Sequence, residues 1–143
     1  MIWILVADEA KARFFSADKP VSPLIEIKVI ESPEGSMLDQ QIVSDKPGRG
    51  STHFDQGKHA VGKKSVHKEQ YATQFAKEVN EYLIKNLHTK AFGRLIVVSA
   101  PHFLGLLRKE FSKGVTGTIS FQLDRDLTMM APKEIREHLP KFL

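Results

Sequence analysis

The stretch that decides the fold is Ile2 to Phe15, IWILVADEAKARFF. Its first six residues are apolar at every position, which is the pattern of a central strand buried on both faces. The run stops at a charged turn, Asp8-Glu9-Ala10. The chain then resumes with Ala12 and Phe14 on one face and Arg13 and Phe15 on the other. So short a connection predicts a hairpin.

Working outward, a turn at Pro20 and Pro23 leads to Leu24 to Ile30, where Ile25, Ile27 and Val29 alternate with Glu26 and Lys28. That is the pattern of an edge strand wet on one face. Pro33 and Gly35 end this meander, and Asp39 to Ser44 is extended or turn structure. From about Val66 to His88 the period becomes helical, with Ala72, Phe75, Ala76, Val79, Tyr82, Leu83 and Leu87 three and four apart and Ser65 as a candidate N-cap. Leu95 to Ser99 is a second strand apolar on both faces. Phe103, Leu104, Leu107 and Phe111 mark a shorter helix, in which Gly105 suggests a close approach. Thr118 to Asp124 alternates like an edge strand, and Pro132 to Leu139 forms a last short helix before Pro140.

The element order is β-β-β-α-β-α-β-α. A right-handed crossover brings the strand at Leu95 beside the first strand, which predicts a mixed five-stranded α/β sheet in the order 3-2-1-4-5. Residues 1-143 read as a single α/β domain. A chain of 143 residues needs no second one.

The polar stretch Ser44 to Lys68, SDKPGRGSTHFDQGKHAVGKKSVHK, stands apart from this pattern. Its apolar residues follow no period, so it reads as a long basic loop at about 35-65. It holds six cations and two anions, whereas the remaining chain has fifteen of each sign. The whole formal charge of +4 therefore sits in this one stretch. A basic, glycine-spaced segment attracts polyanions through phosphate contacts. The residues placed in that role are Lys46, Arg49, Lys58, Lys63 and Lys64, with Gly48 and Gly50 letting the backbone come close.

Other chemistry finds less support. Cysteine is absent, which removes disulfides, thiolate nucleophiles and Cys-based zinc sites together. The first residues carry no basic region and their apolar run ends at Asp8, so neither a signal peptide nor a membrane span is expected, and the expected location is cytoplasmic. Neither doubly apolar strand carries an acid, as a metal-dependent nuclease would need. Asp8, Asp124 and Asp126 fall near strand ends, where turn and capping roles explain them equally well. His53, Asp55, His59 and His67 lack the spacing of a metal site. No motif for a nucleotide or a nucleophilic serine occurs, so no metal and no cofactor is implied. His102, at the start of the helix after the second doubly apolar strand, is a candidate anion site beside free backbone N–H groups.

Five segments together resemble the bacterial host-attachment protein family, nearly end to end. They are Trp3-Ile4-Leu5-Val6-Ala7-Asp8, Ala12-Arg13-Phe14-Phe15, Ser44-Asp45-Lys46-Pro47-Gly48-Arg49, Pro101-His102-Phe103-Leu104-Gly105-Leu106-Leu107-Arg108 and Asp124-Arg125-Asp126-Leu127-Thr128. The family name implies attachment to host cells and supplies no chemistry. The element order is also similar to ribonuclease H-like folds, and the family is similar in fold to the central domain of the eukaryotic and archaeal peptide-chain release factors and Pelota. In release factors a loop after the meander carries Gly-Gly-Gln. Here the corresponding stretch has Gly48-Arg49-Gly50 and Gln56-Gly57 instead.

These readings converge on a non-enzymatic binding module whose basic stretch contacts RNA, on or off the ribosome. The alternatives are an adhesion factor binding a protein or glycan partner, and a release-factor-like hydrolase of peptidyl-tRNA or another ester. Oligomeric state is not legible in the sequence.

Overall fold

A computed structural model describes residues 1–32 and 54–143. The expected turn at Pro33 and Gly35, the segment Asp39 to Ser44, and Lys46, Gly48, Arg49 and Gly50 lie outside the described residues. The elements are β1 (Ile2–Ala7), β2 (Lys11–Ala17), β3 (Ile25–Glu31), α1 (Phe54–His88), β4 (Arg94–Ser99), α2 (Pro101–Glu110), α3 (Lys113–Thr118), β5 (Ile119–Leu123) and α4 (Pro132–Glu137). The sheet order is β3-β2-β1-β4-β5, as the patterning predicts. β1 pairs antiparallel with β2 and parallel with β4, and β4 pairs parallel with β5.

Strand alternation divides the core in two. Trp3, Leu5, Ala7, Ala12, Phe14, Leu95 and Val97 face the first three helices, meeting Ala72, Phe75, Ala76, Val79 and Leu83 of α1 and Phe103, Leu104 and Leu107 of α2. Ile2, Ile4, Val6, Phe15, Ile96 and Val98 face the other way and are covered by Leu24, Leu127, Ile135, Leu139 and Leu143. The all-apolar reading of Ile2 to Ala7 thus has a physical cause, since each side chain of β1 is buried in one layer or the other. The second layer is tied down by Arg136, whose guanidinium donates to the carbonyls of Pro20, Ser22, Pro140 and Lys141.

Three expectations need correction. First, α1 begins at Phe54 rather than near Val66, so the second half of the basic stretch, including Lys58, Lys63 and Lys64, is helical and Ser65 is no N-cap. Apolar periodicity marks only the part of a helix that packs. Extending a helix already nucleated fixes one residue per hydrogen bond and needs no buried face, and Lys and Gln are good helix formers. Second, β3 is exposed along nearly its whole length, not half-buried; Ile25 is 59 % exposed and Ile27 and Val29 are each 43 % exposed. Its pairing steps from Phe14↔Lys28 to Phe15↔Glu26, which leaves Ile27 as the extra residue of a bulge. The bulge breaks the alternation seen in the sequence and blunts the sheet edge. Third, a Cβ placed on Gly105 would meet no atom within 4 Å, so no close approach requires that glycine.

The short α3 was not expected. Ser112 caps it by accepting from the Val115 N–H at 3.2 Å, and its own N–H donates to Asn80 Oδ1 of α1 at 3.0 Å. With two glycines in six residues and only Val115 buried, it carries no helical period.

Candidate functional site

The three parallel strands β1, β4 and β5 end at the same edge of the sheet. From β1 the chain turns within the sheet to β2, and from β4 it rises over the helical face into α2, so a crevice opens between the two exits. It is a cleft of about 210 Å³ lined by Asp8, Glu9 and Ala10 after β1, Ala100 after β4, Asp126 after β5, and Lys68, Tyr71 and Ala72 of α1.

Asp8 organises the β1 exit. Its Oδ1 accepts the N–H groups of Ala10 and Lys11, each at 2.8 Å, while its own N–H donates to the Lys11 carbonyl at 2.9 Å. This side-chain-capped turn closes the hairpin. Its Oδ2 lies 3.1 Å from Thr128 Oγ1, and the same hydroxyl lies 2.6 Å from Asp126 Oδ1, which also accepts the Thr128 N–H at 3.1 Å. A threonine hydroxyl carries one hydrogen. It can therefore donate to one carboxylate at a time, and the pair Asp8 and Asp126 has room for a further donor.

Arg13 on β2 fixes the segment that carries these groups. Its guanidinium donates to the carbonyls of Thr128 at 2.9 Å and Met130 at 2.7 Å, and pairs with both oxygens of Glu26 at 2.7 and 3.3 Å. It also lies over the Phe15 ring, 5.0 Å from the centroid. Thr128 is buried as a result.

The helical wall is mixed in character. Lys68 Nζ approaches Glu9 Oε2 at 3.6 Å, an exposed pair worth about 1 kcal/mol or less. Lys68 stands four residues before Ala72, on the same helical stripe that is buried from Ala72 onward. Tyr71 is half-buried and takes an edge-to-face contact from the exposed His67, with centroids 6.2 Å apart.

His102, the candidate anion site, lies in the first turn of α2 and outside the cleft lining. Its Nε2 is 2.7 Å from Glu69 Oε2, with both side chains more than half exposed, so the imidazole links α2 to α1. Ala100, the N-cap of α2, offers no side-chain acceptor to the helix start. Lys58, Lys63 and Lys64 belong to α1, and Lys46, Gly48, Arg49 and Gly50 fall in the undescribed segment.

The turn and capping roles expected of Asp8 and Asp126 are present, but the sequence reading did not bring them together with Thr128, Lys68 and Tyr71. The usable signal was topological. Residues that follow parallel strands converge at one sheet edge, so Asp8 and Asp-Arg-Asp-Leu-Thr had to end near each other. Among the described residues no group of three or more His, Cys, Asp or Glu is placed to hold a metal ion. None of the described helices is long and apolar enough to cross a membrane.

The cleft thus collects residues from two of the five segments that carry the family resemblance, Asp8 and Asp126, while Arg13 of a third holds the Asp124 to Thr128 run from outside the lining. A search of curated proteins gave no match. Residues 3–139 match the family described as "Protein required for attachment to host cells", and the chain belongs to that family.

Proposed function

We propose that this host-attachment-family protein is a non-enzymatic binding module that holds RNA through its basic stretch, with Lys46, Arg49, Lys58, Lys63 and Lys64 contacting phosphates and Gly48 and Gly50 allowing close backbone approach. One observation carries the reading: the entire excess charge of +4 lies between Ser44 and Lys68, on a body that is otherwise charge-balanced. The helical course of α1 spaces three of these cations, Lys58, Lys63 and Lys64, together with Lys68 over about 15 Å, at ~1.5 Å rise per residue.

The test is fluorescence anisotropy with a labelled single-stranded RNA across a salt series. Five phosphate contacts give a slope of about −3.5 in log K against log salt for a single strand, or roughly a hundred-fold loss between 50 and 200 mM. Changing Lys58, Lys63 and Lys64 to glutamate should abolish binding. Absence of salt-sensitive binding by the wild type at low salt refutes the reading.

A second reading, direct contact with a protein partner during attachment, draws on the exposed Ile25, Ile27 and Val29 of β3. It requires the protein to be accessible on the cell surface. Protease shaving of intact cells tests that, and full protection of the protein would dismiss it.

A further inference from the structure

The cleft is acidic although it lies beside the basic part of the chain. Among the described residues, Asp8, Glu9 and Asp126 line it against one cation, Lys68, so a phosphate entering it would meet net negative charge from them. If the chain holds RNA as proposed above, the strand's backbone must stay outside, and only an uncharged part rich in hydrogen-bond donors can enter. An unpaired base has that character.

We propose that the cleft is a base pocket that receives one unpaired guanine from the bound strand. This assignment rests on the RNA reading and deepens it. The volume of about 210 Å³ lies below the ~300–1,000 Å³ of sites for drug-sized ligands and suits one planar ring system rather than a base pair. Tyr71 supplies an aromatic wall for stacking, steadied by the edge of His67, with Ala72 and Ala100 as small apolar surfaces beside it. Lys68, half-exposed and one turn before Ala72, stands at the lip, where the nucleotide's phosphate would pass.

Hydrogen bonding selects the base. The Thr128 hydroxyl and N–H can serve Asp8 Oδ2 and Asp126 Oδ1, and two turn N–H groups serve Asp8 Oδ1, but among the described residues three carboxylates face one lysine, so the pocket presents acceptors in excess of donors. Guanine offers two adjacent donors, N1–H and the N2 amino group, on its exposed pairing edge. Adenine and cytosine each set an acceptor nitrogen beside their amino group, which would face a carboxylate. Uracil has one N–H between two carbonyl oxygens. Guanine alone matches an acceptor-rich wall without repulsion.

The experiment compares labelled oligouridylate of about nine nucleotides with the same strand carrying one central guanosine, adenosine or cytidine, and with the guanosine strand annealed to its complement. The guanosine strand should bind about 5- to 150-fold more tightly than oligouridylate, the range a bidentate contact gives, and pairing the guanosine should remove the advantage. Tyr71→Ala should weaken guanosine-strand binding by about 5- to 100-fold, while Tyr71→Phe retains it, which separates stacking from a loss of hydroxyl contacts. Asp126→Asn should bring the guanosine-to-uridine affinity ratio toward one. Trp3 fluorescence checks that each variant is folded. If all four strands bind alike with salt-sensitive affinity, the pocket assignment falls and the RNA reading stands. If no strand binds at low salt, both fall.

Discussion

Replacing Arg13 with methionine should destabilise the protein by about 2–4 kcal/mol and loosen the segment from Thr128 to Met130 that follows Asp126. The guanidinium reaches across from β2 to the carbonyls of Thr128 and Met130, at 2.9 and 2.7 Å. Hydrogen bonds from a charged donor contribute roughly 1.5–3 kcal/mol each, and water can replace part of this at a half-buried site. The pair with Glu26 adds at most about 1 kcal/mol, because the glutamate is one-third exposed. Methionine keeps the stem that packs near Phe15 and loses only the charged head. Urea denaturation followed by the fluorescence of Trp3, the one tryptophan, reads the change. Trp3 stacks on Phe92 at 4.8 Å and belongs to the opposite core layer, so it reports global unfolding rather than the local change. With an m-value of ~1–3 kcal/mol/M the midpoint should fall by about 1–2 M. Glu26→Gln, which removes the ion pair and leaves the carbonyl bonds, should cost about 1 kcal/mol or less. Equal losses for the two variants would refute the reasoning, because they would show that the two carbonyl bonds contribute nothing.

Gly105→Ala should raise stability by about 0.5–1 kcal/mol, since the glycine is inside α2 and an added methyl meets open space; an unchanged or lower melting temperature would contradict this. Burial raises the pKa of the Tyr82 phenol above its usual 10.0, between Trp3 and Phe14. The unfolded chain then loses this proton at lower pH than the folded one, so stability is intact below about pH 10 and declines as pH rises toward the folded value. Tyr82→Phe should flatten that decline in alkaline denaturation curves, and an unaltered curve would assign it to other groups.

The sheet was legible because its evidence is local. β1 and β4 are apolar on both faces, and each crossover has one favoured hand, so the order 3-2-1-4-5 followed from patterning alone. What escaped depended on partners distant in sequence. The bulge at Ile27 arises in the pairing of β3 with Phe14 and Phe15 and leaves no mark in its own alternation. Asp8 meets Thr128 across 120 positions, through a hydroxyl that no motif advertises. The start of α1 was missed because a helix keeps its backbone bonds whether or not its residues show an apolar period.

The packed part of α1 has a limit set by the strands. The buried stripe of α1 from Ala72 to Leu83 spans about 17 Å at ~1.5 Å per residue, close to the ~20 Å that a six-residue strand covers. One turn before Ala72 the stripe is occupied by Lys68, which reaches Glu9 in the turn beyond β1. The change falls where β1 gives way to its turn, so Lys68 marks the point at which the buried stripe of α1 passes from the sheet to the acidic rim formed by Asp8, Glu9 and Asp126.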